Sequence, residues 1–142
     1  MNDRGASAVE MALLMPILLL MVLGLVDFGR VVLAHMAIEE AAQEGAMFAA
    51  YHGADAGDTS TDIVNAVRGS TTSVTIGAGE VAVVCSAKGG GDQLAAFPTV
   101  TVTISTSITP ITPLVSGWLP GGIPLSAEAS GNVFTKTCLA TP

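Results

Sequence analysis

The stretch GASAVEMALLMPILLLMVLGLVDFGR, residues 5–30, decides how this chain folds. Residues 11–26 are sixteen consecutive uncharged residues, and the apolar run extends back through Val9 and Ala8, interrupted only by Glu10. A helix needs about twenty such residues to span the hydrocarbon core of a bilayer. The stretch therefore predicts a single transmembrane helix over about residues 8–28.

Glu10 is the unusual residue of this run. An ionised group at the centre of a transmembrane helix costs about 2.5–3.5 kcal/mol, and less near the interface. No basic residue lies at helical spacing from Glu10. It therefore needs either a shallow position in the membrane or a partner that the local sequence does not supply.

Two other interpretations of the apolar run remain open. One is a cleavable secretory signal cut near residues 32–34. Against it, the run is longer than the roughly 7–15 residues of a signal core, and Asp27 and Arg30 lie before that cut. The other is a buried helix of a soluble protein, but the rest of the chain has little apolar surface to cover all sides of such a helix.

Charge indicates the orientation of the chain. Its net charge is −7, and residues 27–142 carry ten acidic and four basic side chains, whereas Arg4 precedes the span. The positive-inside tendency favours a short cytoplasmic N-terminus and an exported C-terminal domain. With so few basic residues, nucleic-acid binding has no electrostatic basis.

The chain has two cysteines, Cys85 and Cys138, and both lie in the part predicted to be exported. In an oxidising compartment an even number of cysteines favours a disulfide, with two unpaired buried thiols as the alternative. The bond would close a loop of about fifty residues and stabilise the fold by about 3–4 kcal/mol in the chain-entropy model.

The helix is predicted to continue beyond the apolar run. RVVLAHMAIEEAAQEGAMFAAYHG has no proline, is rich in alanine, and separates an apolar side from a side carrying Glu39, Glu40, Gln43 and Glu44. One helix over about residues 8–51 would be about 65 Å long. Pro16 and the glycines 24, 29 and 45 are positions where it would bend or loosen. HGADAG, residues 52–57, is predicted to end it.

The rest of the chain predicts a small antiparallel sheet. A short helix over residues 58–69 presents Ile63, Val64, Ala66 and Val67, and strands are expected at residues 73–76, 80–85, 99–108 and 123–130. The third strand alternates Val100, Val102, Ile104 and Ile108 with threonines and serines, which implies one buried face. The predicted fold class is α+β: a long N-terminal helix, membrane-spanning in its first half and amphipathic in its second, packed on this sheet.

No catalytic, metal or cofactor site is predicted. His35 and His52 are too far apart for a local metal pair and have no cysteine at zinc-ligand spacing. GAGEVA and KGGGDQ lack the residues of dinucleotide-binding and phosphate-binding loops, so both are expected to be ordinary loops. The protein is not expected to be an enzyme.

The string GASAVEMALLMPILLL resembles a class III signal of type IV pilins and pseudopilins, with a glycine, four residues, a glutamate and a long apolar helix. The fuller string RGASAVEMALLMPILLLMVLGLVDFGR, followed by AIEEAAQEGAMFAA, resembles the TadE-like family of tight-adherence (Flp) pilus systems. The resemblance covers about the first fifty residues. It implies a leader peptide at 1–5, a long helix at 6–52 and an exported α+β domain at 53–142.

The same resemblance implies roles for three residues. Gly5 would precede the bond cut by a prepilin peptidase, Ala6 would become the new, usually N-methylated terminus, and Glu10 would pair with the terminal amine of a neighbouring subunit. Two positions depart from the family pattern: Met11 stands where an aromatic residue often follows the glutamate, and Met47 stands where the alanine-rich segment frequently carries arginine.

The resulting expectation is a minor pilin or pseudopilin that helps to assemble a tight-adherence filament. Its partners would be the prepilin peptidase, other pilin subunits, the pilus assembly platform and the membrane. It would span the inner membrane once before assembly and then lie in the extracellular filament or at its base. The alternatives are the major subunit of the filament and a signal-anchored binding module, such as an adhesin, that does not polymerise.

Overall fold

The computed structural model of the chain describes residues 3–53, 58–86 and 98–134. In chain order the elements are α1 (Asp3–His52), α2 (Asp58–Ser70), a 3-10 turn (Ala78–Glu80), β1 (Val81–Ser86), β2 (Thr99–Ile108), α3 (Pro113–Trp118) and β3 (Ile123–Asn132). The three strands form an antiparallel sheet in the order β1-β2-β3. The predicted α+β class, with one long N-terminal helix and a small antiparallel sheet, is confirmed.

Helix α1 is a single helix of 50 residues that continues through Pro16. At 1.5 Å per residue it is about 75 Å long. Gly53 follows it with φ 90°, a left-handed conformation that glycine adopts without a Cβ penalty, and its N–H donates to the Ala49 carbonyl at 2.9 Å. The helix therefore ends within HGADAG, as predicted. Residues 54–57 lie outside the described part.

The two halves of α1 have different surroundings. Its most apolar 18-residue window is entirely unburied, and α1 is the one helix in the described residues that is long and apolar enough to cross a membrane, judged by length and composition. In the second half, small or branched residues recur every three to four positions and are buried: Ala34, Ile38, Ala41, Ala42, Ala46, Ala49 and Ala50. The helix thus changes from an exposed apolar rod to one wall of the core.

The sheet forms the opposite wall of that core. Val100, Val102 and Ile104 of β2 have no exposed surface, as the alternation of this strand predicts, whereas Ile108 is half-buried. Ala127 of β3 pairs with Ile104 and is also buried. Helix α2 covers the remaining side with Ile63 and Val67, both fully buried. Apolar burial between one sheet face and two helices holds this part of the fold together.

The predicted strand at residues 73–76 is wrong. These residues make no ladder with the sheet, whose order ends at β1. Val74 is half-buried and Ile76 is buried in the core, so apolar side chains do alternate with exposed ones here. The segment that carries them is an irregular connection from α2 to β1. The Ile76 carbonyl accepts a hydrogen bond from Arg68 Nε at 3.0 Å instead of one from a neighbouring strand.

Helix α3 was not expected, because its segment is rich in proline and glycine. Pro113 occupies the first helical position, where its missing N–H costs nothing. The Ser116 N–H then donates to the Thr112 carbonyl at 3.0 Å. The connection between β2 and β3 therefore contains one short helix.

Gly45 has a packing role that differs from the predicted loosening of the helix. A Cβ atom at this position would overlap the Val67 side chain of α2 and lie 3.3 Å from Val102 Cγ1 of β2. At Gly29, by contrast, an added Cβ would meet nothing within 4 Å. The missing side chain at Gly45 thus lets α2 and β2 pack directly against the backbone of α1.

We expect Gly45→Ala to lower the free energy of unfolding by about 1–2 kcal/mol, because overpacking costs about 1–3 kcal/mol and the better helix propensity of alanine recovers up to about 1 kcal/mol. Chemical denaturation in detergent micelles, followed by circular dichroism, measures the change. The matched control Gly29→Ala should leave stability unchanged or raise it by up to about 1 kcal/mol. Equal effects of the two variants would contradict the packing role of Gly45.

Candidate functional site

Glu10 lies on the exposed apolar half of α1. Its neighbours Val9 and Met11 are 63% and 61% exposed, and Leu13 and Leu14, one helical turn further on, are also exposed. None of the side chains that the structure describes forms a hydrogen bond or an ion pair with the Glu10 carboxylate. The chain as described therefore places a carboxylate in apolar surroundings and supplies no counter-charge for it.

Gly5 and Ala6 lie in the first turn and a half of the same helix. Gly5 is exposed, and a Cβ atom added there would meet nothing within 4 Å. The fold of the described residues thus makes no steric demand for glycine at this position. The processing roles of Gly5 and Ala6 stay predictions.

A polar junction joins the sheet domain to α1 at the end of the stretch that is exposed on all sides. Asp27 is only 7% exposed, although Val26 before it is 50% exposed. Its two carboxylate oxygens each accept one backbone hydrogen bond: Oδ1 from the Ile111 N–H at 3.0 Å and Oδ2 from the Thr112 N–H at 2.9 Å. We call these three residues the junction.

The junction satisfies backbone groups that have no ladder partner. Ile111 and Thr112 follow the end of β2 and precede α3, so neither strand nor helix uses their N–H groups. A carboxylate that accepts two N–H groups forms charge-assisted hydrogen bonds, which are stronger than neutral ones. Arg30 adds little, because its Nη1 lies 3.9 Å from Asp27 Oδ1 and its side chain is 44% exposed.

The opposite end of the sheet is also attached to α1. The Phe134 N–H, just beyond β3, donates to the Ala50 carbonyl at 3.1 Å. A Cβ atom on Gly131 would lie 3.1 Å from the Ala46 carbonyl oxygen, so the strand backbone passes very close to the helix. Contacts at both ends therefore fix the orientation of the sheet along the second half of α1.

The remaining predicted residues are placed as follows. His35 and His52 are exposed on α1, where His35 Nε2 lies 3.4 Å from Glu39 Oε1 and the His52 ring stacks on Phe48. Among the described residues, no three histidine, cysteine or acidic side chains cluster as metal ligands would. Cys85 packs half-buried against the core from β1, and Cys138 lies outside the described residues, so their pairing stays a prediction.

Asp27 is the residue whose role sequence reasoning missed. An acidic residue directly after an apolar run is an ordinary end to a transmembrane segment, so it gave no reason to expect a buried hydrogen-bonded group. The available signal was the segment TPITP, residues 109–113, in which two prolines exclude regular pairing and leave the N–H groups between them in need of an acceptor. Nothing in the sequence links that segment to a residue more than eighty positions earlier.

Comparison with known proteins identifies the N-terminal segment. Residues 5–47 match the family model described as TadE-like protein, which confirms the predicted resemblance over that range. No curated protein and no solved structure matches the chain significantly. The match includes Gly5, Glu10, Asp27 and Gly45 and ends before the sheet. The resemblance to TadE-like proteins is therefore limited to the N-terminal helix.

We expect Asp27→Ala to speed hydrogen exchange of the Ile111 and Thr112 amides by roughly an order of magnitude, because both lose their acceptor and open to water more often. Amide exchange of the full chain in detergent micelles, read by NMR, measures this. Arg30→Ala is the matched control and should leave both amides protected. Unchanged protection in Asp27→Ala would show that other groups hold this segment.

Proposed function

We propose that this protein is a pilin-like structural subunit, a minor pilin or pseudopilin, that takes part in assembling a tight-adherence filament. The observation that carries the proposal is a carboxylate, Glu10, exposed on an uninterrupted apolar helix with no partner in the described chain. This helix belongs to the segment that matches the TadE-like family. The proposed partners are a prepilin peptidase, other pilin subunits, the assembly platform and the membrane.

The spacing of two carboxylates supports a membrane position before assembly. Glu10 and Asp27 are seventeen residues apart on one helix, a rise of about 25 Å. The hydrocarbon core is about 30 Å thick. With Asp27 held at the outer boundary by the sheet domain, Glu10 lies near the inner boundary, where its side chain reaches the headgroups. The cost of inserting it alone is then well below the value for a residue at the bilayer centre.

Assembly changes the surroundings of Glu10. In a bundle of apolar helices the headgroups are absent, so the carboxylate needs a counter-charge from another chain. A free amine at a neighbouring subunit's Ala6 is such a group, and removing one partner of a buried ion pair is strongly destabilising. In this proposal the Glu10 carboxylate costs little free energy in the membrane-inserted subunit, and it gains a counter-charge in the filament. A simple anchor that never polymerises gains nothing from the residue.

We expect the mature chain to begin at Ala6 and to carry one added methyl group. Intact mass of protein recovered from sheared filaments and from membranes tests this. Gly5→Trp should leave the precursor uncut in the membrane, and because a Cβ atom at the exposed Gly5 meets nothing within 4 Å, the defect would reflect the peptidase rather than misfolding. The control Gly29→Ala should be processed normally. Exported protein that begins at Met1, or is cut near Ala34, would refute the assignment.

We expect Glu10→Ala to insert as well as the natural protein or slightly better, since an apolar residue is cheaper in the bilayer. Filament number or subunit incorporation should fall by roughly tenfold or more, because a neighbour's amine loses its counter-charge. The processed variant should accumulate in the inner membrane. Fractionation and counting of surface filaments measure both effects.

Glu128→Ala is the control for Glu10→Ala, because it removes a carboxylate from an exposed position on β3 and should leave assembly unchanged. Normal filament number together with normal incorporation of Glu10→Ala would favour a signal-anchored binding module instead. Incorporation of the natural protein at many copies along the filament would favour a major subunit.

A further inference from the structure

The connection between β2 and β3 lies at the end of the sheet domain nearest to the apolar half of α1. Gly131, which pairs with Val100 at the start of β2, lies against Ala46 of the helix. The end of β2 is level with a much earlier part of α1, since Ile108 lines the same groove as Arg30. The junction then places Ile111 at the level of Asp27, where one side of the helix first becomes covered.

Three apolar side chains of this connection are exposed. We call residues 111–119 the junction loop. Trp118 is 88% exposed, Ile111 61% and Leu119 44%. Residues 98–127 contain no charged side chain at all. A segment without charges meets no large desolvation cost on approaching lipid, and its exposed tryptophan and branched residues have apolar area to bury there.

The neighbouring surface of α1 has the same character. Leu25 is 71% exposed and Phe28 66%, and these residues flank Asp27 along the helix. The junction loop and this part of the helix thus expose apolar side chains at the same height along the axis of α1. Tryptophan is enriched at that level of membrane proteins, because its ring is apolar while its indole N–H can reach the headgroups.

We propose that the junction loop rests in the outer interfacial layer of the membrane, with Trp118 at headgroup depth. The bilayer is preferred over a second copy of the chain because the loop is held level with the point where the proposed membrane helix emerges. The inference rests on the proposed membrane anchoring of α1. It gives the unassembled subunit two contacts with the bilayer, and these set the tilt of the sheet domain above it.

Trp118 is the single tryptophan of the chain, so the natural protein reports on its own loop. The full-length protein is reconstituted into phosphatidylcholine and phosphatidylglycerol vesicles that contain lipids brominated at either a shallow or a deep acyl position. We expect the emission maximum of Trp118 to lie at a shorter wavelength than that of a tryptophan-containing peptide in water. We also expect stronger quenching by the shallow bromines than by the deep ones, and protection from aqueous acrylamide.

The matched control moves the probe to the other end of the domain. Val84 is 58% exposed on β1, and it pairs with Thr101 near the start of β2. The double variant Trp118→Phe, Val84→Trp should be quenched freely by acrylamide and not by brominated lipids. Vesicle flotation of each sample shows separately whether the protein is anchored.

Four outcomes are distinguishable. Flotation with shallow-bromine quenching of Trp118, absent in the control, supports the proposal. Flotation with Trp118 as open to acrylamide as the control probe overturns it and leaves the anchoring intact. Protection from acrylamide without quenching by brominated lipid shows that protein covers the loop, which also overturns it. Failure to float refutes the anchoring, and the loop proposal fails with it.

Discussion

The structure depends on one carboxylate, Asp27, at the residue where a single helix changes its surroundings. Before this residue the helix exposes apolar side chains around its whole circumference, and after it one stripe is covered by a sheet. A long helix alone does not determine where a small sheet sits along it, since the apolar contacts between them are not directional. The hydrogen bonds from Ile111 and Thr112 are directional, and they fix the sheet at this level.

The core beyond Asp27 is built from small residues because the chain has few large ones. With six aromatic residues in total, it buries alanine on the helix against valine and isoleucine on the sheet. Small side chains let backbones approach closely, as at Gly45 against Val67 and at Gly131 against the Ala46 carbonyl. Close approach gains dispersion contacts without aromatic area, but it leaves no room for added atoms. The fold therefore tolerates added atoms poorly at Gly45 and Gly131.

Local patterns predicted the elements, and they failed where a role depends on distant residues. The alternation of β2 predicted both bounds of that strand, and the alanine-rich continuation predicted the end of α1 to within one residue, because each pattern reports a periodic contact with one environment. The helix begins at Asp3, five residues earlier than predicted. The alternation at residues 73–76 correctly indicates that Val74 and Ile76 face the core, but it does not show whether an adjacent strand is present to form hydrogen bonds. The contacts of Asp27 and Gly45 join residues far apart in sequence, and no local signal encodes them.

The two acidic residues that bracket the apolar run are treated in opposite ways by the same chain. Asp27 receives two backbone donors from its own sheet domain, so its charge is satisfied as soon as the subunit folds. Glu10 receives none from the described residues, although both lie on one rigid helix about 25 Å apart. Folding of the described residues therefore satisfies the charge of Asp27 and provides no partner for Glu10. In the proposed filament subunit, a neighbouring chain would supply the partner of Glu10, and this pairing would set the register between the apolar helices.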